Sequence, residues 1–208
     1  MVVDKKRLEI ILSKAPRFPS PRKDLEQYPT SSRVASYLLW TAYLKNDIEG
    51  LVVADLGCGT GVLSLGALMM GARDVICVDI DCSALQIAKE WIASHDFSNF
   101  EVLCSDVNMV NLRNIDTVIM NPPFGVYRRG MDILFLKKAL ELASRSVYSI
   151  HKFNVESHNL ILKIADDQNF DVELLAVDYM EIPQIYEDHV KRVHRFKIAL
   201  YRFRKRVR

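Results

Sequence analysis

No apolar run in this 208-residue chain approaches the roughly 20 residues that a membrane-crossing helix needs. The stretch from Met1 to Arg7 is charged and lacks the apolar centre of a signal peptide, so the expected location is the cytoplasm. Cysteine is scarce: Cys58, Cys77, Cys82 and Cys104 are scattered and form no C-x-x-C pair. That absence argues against a zinc or redox motif and predicts four reduced, structural thiols. His95, His158, His189 and His194 show no ligand spacing either and are expected at the surface, so no metal site is expected. Internal repeats, low-complexity tracts and a linker between two domains are also missing, and the length suits one compact domain over residues 1–208. Acidic residues are absent from His189 to Arg208, where nine Lys or Arg stand, although the whole chain carries a formal charge of only +2. Such one-sided clustering points to an anionic partner and marks the basic end as a candidate phosphate-contacting segment.

What is present begins with Leu8, Ile11 and Leu12 at helical spacing within residues 4–14, a helix that Pro16 stops. Four prolines interrupt any periodicity from Pro16 to Thr30. Thr30, Ser31 and Ser32 then offer caps to a second helix with Val34, Tyr37, Leu38 and Ala42 on its apolar face, and Gly50 closes the connection after it. From there short apolar strands alternate with amphipathic helices. The strands are expected at Leu51 to Asp55, Asp74 to Asp79, Phe100 to Cys104, Thr117 to Met120 and Ser146 to Ile150. Helices are expected at about Val62 to Met70, Ser83 to Ser94, Met131 to Ala143 and Val155 to Asp167. Continuous apolar strands separated by helices imply a parallel sheet covered on both faces, a doubly wound α/β domain. Asp171 to Met180 and Arg195 to Phe203 have no helix between them and should pair antiparallel, which makes seven strands, mostly parallel. Residues 1–49 form a helical and Pro-rich segment ahead of a core at 50–208.

The first strand runs into Asp55-Leu-Gly-Cys-Gly-Thr-Gly61, where Gly57, Gly59 and Gly61 permit a tight turn and close approach by a ligand. Val62 replaces the third glycine of a dinucleotide fingerprint and no phosphate-cradling Lys follows, so neither a dinucleotide loop nor a P-loop fits. A carboxylate at Asp55 suits a ligand bearing an ammonium group, such as the methionine part of S-adenosylmethionine. Asp79 and Asp81, at the end of the second strand, can accept from ribose hydroxyls. The third strand ends in Asp106 and Val107, where Asp106 can accept from an adenine amine. Any one of these acids could be a loop cap; three at successive strand ends, where such sheets bind ligands, make a site.

The fourth strand ends in Asn121, Pro122, Pro123 and Phe124. Two prolines there could simply terminate a strand. In the context upstream they fit catalysis on an exocyclic ring amine, a poor nucleophile whose lone pair is delocalised into the ring. The Asn121 oxygen and the Pro122 carbonyl can each accept an amine hydrogen, Pro123 helps fix the turn, and Phe124 can stack on the base. No general base is needed, because the methylated amine loses its proton to water. A base in structured RNA would have to leave its stack first.

With these residues in hand, the chain resembles the Rossmann-like class I S-adenosylmethionine-dependent methyltransferases, and more closely the methyltransferase-like protein 5 family. The resemblance rests on Leu25-Glu-Gln-Tyr-Pro-Thr30, Val53-Ala-Asp-Leu-Gly-Cys-Gly59, Asp79-Ile-Asp81, Thr117-Val-Ile-Met-Asn-Pro-Pro-Phe-Gly125 and Tyr148-Ser-x-His-Lys152. It implies N6-adenine methylation of small-subunit ribosomal RNA, S-adenosylmethionine as cofactor, and a small zinc-containing activator as partner. It also implies that Gln27, Tyr28 and Thr30 line the cofactor site. In the strand order usual for this class, Phe100 to Cys104 lies at a sheet edge that can accept a strand from another chain. Competing readings are guanine N2 in RNA, an amine of DNA or of a protein glutamine, and a cofactor-binding module without catalysis; Phe124 and the basic end favour nucleic acid. His151 and Lys152 are expected at the rim of the site, and Trp40 and Trp91 in the core.

Overall fold

The computed structural model describes residues 2–28, 30–183 and 193–207. Helix α1 (Lys5–Leu12) starts where the Asp4 carboxylate accepts from the Arg7 N–H at 3.0 Å, and buries Leu8 and Leu12. Helix α2 (Ser32–Leu44) is capped by the Ser31 hydroxyl and packs on α1 through a face that includes Leu38, Leu39 and Ala42. Between them the prolines leave only a three-residue 3₁₀ turn at Lys23–Leu25.

The remainder alternates as the hydrophobic pattern predicts. It comprises β1 (Val52–Leu56), α3 (Val62–Met69), β2 (Asp74–Asp79), α4 (Cys82–Ala93), β3 (Phe100–Cys104), β4 (Ile115–Met120), α5 (Met131–Leu142), β5 (Ala143–Lys152), α6 (Val155–Asp167), β6 (Phe170–Pro183) and β7 (Val193–Lys205). One seven-stranded sheet results, ordered β3-β2-β1-β4-β5-β7-β6, with β7 antiparallel to both of its neighbours. This is a Rossmann-like arrangement. One face of the sheet packs through Ile119, Tyr148 and Leu200 against α1 to α4; the other packs through Val118, Met120 and Phe203 against α5 and α6. Burying each such large apolar side chain contributes roughly 1.5–3 kcal/mol.

Three sequence expectations need correction. Cys58 and Cys77 are free and buried as expected, but Cys82 and Cys104 are joined in a disulfide with their Cα atoms 5.3 Å apart. The β2–α4–β3 crossover returns the end of β3 beside the start of α4, a neighbourhood that a separation of 22 residues does not advertise. His151 does not stand at a rim. Pairing with β7 extends β5 through Lys152, so the imidazole is fully buried, 2.8 Å from the Ser149 hydroxyl and edge-on to Tyr201, and burial pushes its pKa down to about 3. His158, expected at the surface, is half-buried with Nδ1 2.8 Å from the Tyr201 hydroxyl. His189 lies outside the described residues.

The basic end is divided along β7. Lys191, Arg192 and Arg208 lie outside the described residues. Of the rest, β7 carries its final cations away from the carboxyl ends of the parallel strands, because Ile198 pairs with Lys152 whereas Arg204 pairs with Ser146 near the start of β5. There Arg206 binds Asp166 and Asp171 at 2.8 and 2.7 Å, and Lys205 donates to the Ala143 carbonyl.

At the same end, Asp47 is almost completely buried in the turn after α2 and accepts from Arg145 Nε (2.8 Å), Tyr148 Oη (2.7 Å) and Arg202 Nε (2.9 Å). Burial raises its pKa, but the bonds from Arg145, Tyr148 and Arg202 outweigh that and hold it below the usual carboxylate range. The stability this contributes is present above the unfolded-state pKa and is lost as pH falls through the lower folded value. Asp47→Asn should destabilise the fold by about 3 kcal/mol, because it leaves Arg202 without its buried counter-charge. Thermal melting at pH 7 measures this; a midpoint equal to wild type would show that Asp47 is not a structural anchor.

Candidate active site

The carboxyl ends of β1, β2, β3 and β4 open into one pocket, roofed by the segment between α1 and α2. After β1 the chain turns so tightly that the Gly57 and Cys58 amides both donate to the Val78 carbonyl, at 2.8 and 3.0 Å. Gly59 needs to be glycine twice over: its φ is +54°, and a Cβ there would lie 2.8 Å from the Phe18 ring that leans over the loop. Gly61, at φ +86°, faces Ala88 of α4 and serves helix packing; of the three loop glycines, Gly57 and Gly59 line the pocket.

The acids of the strand ends occupy distinct environments. Asp55 lines the pocket yet is wholly shielded from solvent; Oδ2 accepts from the Ser64 hydroxyl at 2.6 Å and Oδ1 has no partner. Burial pushes its pKa up to about 7, against the Ser64 bond and with the help of the nearby Asp79 charge. Asp79 uses Oδ2 on the Gly59 N–H (2.8 Å) and Oδ1 on the Asp81 N–H (2.9 Å), and burial raises its pKa as well. Each of its oxygens keeps a second lone pair for a ligand. Asp81 is turned away: Oδ1 caps α4 through Ser83, and Oδ2 accepts from Gln27 Nε2 at 2.7 Å. Asp106 caps a short turn through the Asn108 N–H and, with buried Val107, lines the pocket wall.

At the end of β4 the Asn121 amide is oriented by Thr30, whose hydroxyl accepts from Nδ2 at 2.9 Å. That leaves the Asn121 Oδ1 buried without a partner. Pro123 lines the pocket and Pro122 is buried behind it. Phe124 departs from its expected role. Its ring is only 8% exposed, stacked on Tyr28 at 5.7 Å and edge-on to Phe196 at 5.3 Å, so it packs the site instead of presenting an open stacking face.

The cover is tied down by residues at Glu26 to Thr30. Gln27 and Tyr28 line the pocket, and the Tyr28 hydroxyl donates to Glu26 Oε2 at 3.1 Å. Glu26 itself is absent from the candidate residues of the sequence. It is 5% exposed at φ +53°, and its carboxylate also accepts from the Phe124 N–H at 2.8 Å and the Tyr127 N–H at 3.0 Å. It thereby grips the loop after β4 from 98 residues away. Nothing in local composition signals this, because an unremarkable Glu in a Pro-rich stretch acquires its donors only on folding.

The sequence comparisons accord with this geometry. Residues 33–158 match the methyltransferase small domain family. The chain is 37% identical to the rRNA N(6)-adenosine-methyltransferase METTL5 of Danio rerio, over 95% of this chain and 97% of that protein. It is 32% identical to the rRNA N(6)-adenosine-methyltransferase Mettl5 of Drosophila melanogaster, over 95% of each. A crystal structure from Pyrococcus horikoshii, provisionally assigned as an RNA methyltransferase, superposes with a TM-score of 0.91 at 44% identity over 100% of both chains.

Two outcomes follow from the site. If a ligand ammonium meets Asp55, ionisation of a carboxyl with a pKa of about 7 is coupled to binding, and S-adenosylmethionine affinity should fall about tenfold per unit as pH drops below that value. Calorimetry between pH 5.5 and 8 reads this, and a flat profile would separate Asp55 from the ligand. Glu26→Gln keeps the shape but sets an NH₂ against an N–H donor, so turnover should fall roughly tenfold while cofactor affinity stays within about threefold. Unaltered turnover would reduce Glu26 to a packing residue.

Proposed function

The chain belongs to the methyltransferase small domain family, and from its likeness to the rRNA N(6)-adenosine-methyltransferases of Danio rerio and Drosophila melanogaster we propose that it methylates adenine N6 in small-subunit ribosomal RNA with S-adenosylmethionine as donor. The observation that carries the proposal is the Asn121 Oδ1: an acceptor at the pocket, buried and unpartnered, with its amide held in that sense by Thr30. A buried acceptor without a donor is costly in a folded protein, and an incoming amine supplies one. A module that only stored the cofactor would have no use for it.

The site also fits the donor molecule. Asp55 Oδ1 is a second buried orphan and suits an α-ammonium, Asp79 has lone pairs for two ribose hydroxyls, and Asp106 stands where an adenine amine can donate. S-adenosylmethionine, when bound, supplies an electrophilic methyl on a sulfonium. The protein's part is to prepare the acceptor. Asn121 Oδ1 and the Pro122 carbonyl take one amine hydrogen each, which fixes the amine in line and draws its lone pair out of the ring. Pro122 and Pro123 stiffen the turn, and Phe124, packed on Tyr28, forms the wall behind it. The proton leaves to water after transfer, so no side chain has to act as a strong base.

Two features support a partner. The β3 strand lies at the sheet edge, with Leu103, Met109 and Ile80 exposed beside it. An added strand from a small zinc-containing activator would satisfy that edge. No helix among the described residues is long and apolar enough to cross a membrane, and the cytoplasm, where ribosomes are assembled or at work, is the compartment this reading assigns.

Labelled S-adenosylmethionine, the purified chain with and without co-purifying partner, and total RNA, DNA and protein as acceptors test the reading. Label should enter small-subunit ribosomal RNA, and digestion with mass spectrometry should locate it on N6-methyladenosine. Asn121→Ala should lower transfer at least about a hundredfold with cofactor affinity nearly unchanged, an effect on the scale of losing one positioned transition-state contact. Label on guanine or on protein glutamine would overturn the proposal.

A further inference from the structure

The loop Gly125 to Gly130, Gly-Val-Tyr-Arg-Arg-Gly, leads directly from the Asn-Pro-Pro-Phe motif into α5. It is closed at both ends by glycines in the left-handed region, φ +74° at Gly125 and +83° at Gly130. A Cβ on Gly125 would lie 3.3 Å from both the Arg128 carbonyl oxygen and the Gly130 nitrogen, so the loop is pinched into a closed shape. Glu26 fixes its middle through the Tyr127 N–H. What this held loop displays is a mixture of cation and ring: Tyr127 is 41% exposed, the Arg128 side chain is 56% exposed and reaches the pocket lining, and Arg129 is exposed.

The facing wall is the Pro-rich cover, and it continues the same chemistry. Lys23 Nζ lies 5.2 Å from the centre of the Tyr127 ring. Arg22 and Arg128 approach the single carboxylate of Asp24 from two sides, at 3.0 and 3.7 Å. Two guanidiniums thus share one carboxylate at the mouth of the pocket. The cations at the far end of β7 are on the wrong edge of the sheet to serve this mouth; there Arg202 is bound to the buried Asp47, and Arg206 is paired with Asp166 and Asp171.

We propose that Tyr127, Arg128 and Arg129 form the RNA grip of this enzyme, the arginines holding phosphates beside the target nucleotide and the Tyr127 ring stacking on the neighbouring base. The proposal rests on the RNA reading above and adds the surface that carries it. A target adenine drawn into the pocket leaves its neighbour with one unstacked face. An aromatic ring beside the pocket replaces that stack whatever the base, while guanidiniums at the mouth hold the backbone. Lys23 against the Tyr127 ring adds a further positive charge within reach of the same backbone. A mixed aromatic and cationic rim suits single-stranded nucleic acid, in contrast to the opposite edge, where Arg202 and Arg206 are already paired with carboxylates.

Fluorescence anisotropy with a labelled single-stranded oligoribonucleotide containing one adenine, in saturating S-adenosylhomocysteine and over a range of salt, tests the grip. The double variant Arg128→Gln, Arg129→Gln should flatten the slope of log affinity against log salt by about 1.4, the release expected for two phosphates of a single strand. Tyr127→Ala should weaken binding about tenfold at a given salt while leaving the slope in place. Arg204→Gln, which removes one exposed cation from the far edge, should leave the slope as in wild type. Melting curves confirm that each variant is folded. A wild-type slope in the folded double variant, or flattening by Arg204→Gln of equal size, overturns the grip while leaving the RNA reading intact. A wild-type protein with no affinity for the oligoribonucleotide but measurable affinity for protein acceptors overturns the RNA reading itself.

Discussion

The carboxylate of Glu26 joins the two parts from which the pocket is made. A buried carboxylate is tolerable only when donors surround it, and Glu26 finds three, from the Phe124 and Tyr127 backbones and the Tyr28 hydroxyl. Meeting that demand brings the Pro-rich cover onto the loop after β4. The neighbouring residues repeat the device: Gln27 reaches Asp81 at the start of α4, and Thr30 orients Asn121. A stretch of five residues thus stitches one irregular segment to two strand ends, and the prolines around it limit the conformations that must be given up in doing so.

The pocket it closes is electrostatically uncomfortable without a ligand. Asp55 is buried and Asp79 half-buried, and burial raises the pKa of both. A carboxyl whose folded pKa is raised costs stability progressively as pH rises from the unfolded value toward the folded one, for Asp55 from about 4 to about 7. Such strain at a site, together with unpartnered oxygens on Asp55 and Asn121, is what a preorganised binding surface looks like before its ligand's donors arrive.

The opposite edge of the sheet obeys the reverse logic. Asp47 is as buried as Asp55 but carries two guanidiniums and a hydroxyl, and its pKa is lowered. Both oxygens of that carboxylate are satisfied, so it serves as an anchor. The antiparallel course of β7 connects the two edges. It delivers Ile198 beside the pocket end of β5 and Arg202 to the anchor, which explains how a cluster of cations that reads as one basic tail comes to be divided in role.

By itself the sequence determined the alternation of strands and helices, the strand ends as the place of the pocket, and the Asn-Pro-Pro-Phe turn. These are properties of local periodicity, of glycine's and proline's backbone restrictions, and of the rule that a parallel sheet binds ligands at one edge. Tertiary structure alone decided which polar atoms are left over. Asp55 and Asp81 look alike in the sequence, yet one ends with a free buried oxygen and the other with both oxygens occupied; Phe124 is packed because Tyr28 folds onto it. Glu26, the Cys82–Cys104 pair and the buried His151 were hidden for the same reason. A side chain's hydrogen-bond partners and its solvent exposure are properties of the elements packed around it, and those come from residues tens of positions away.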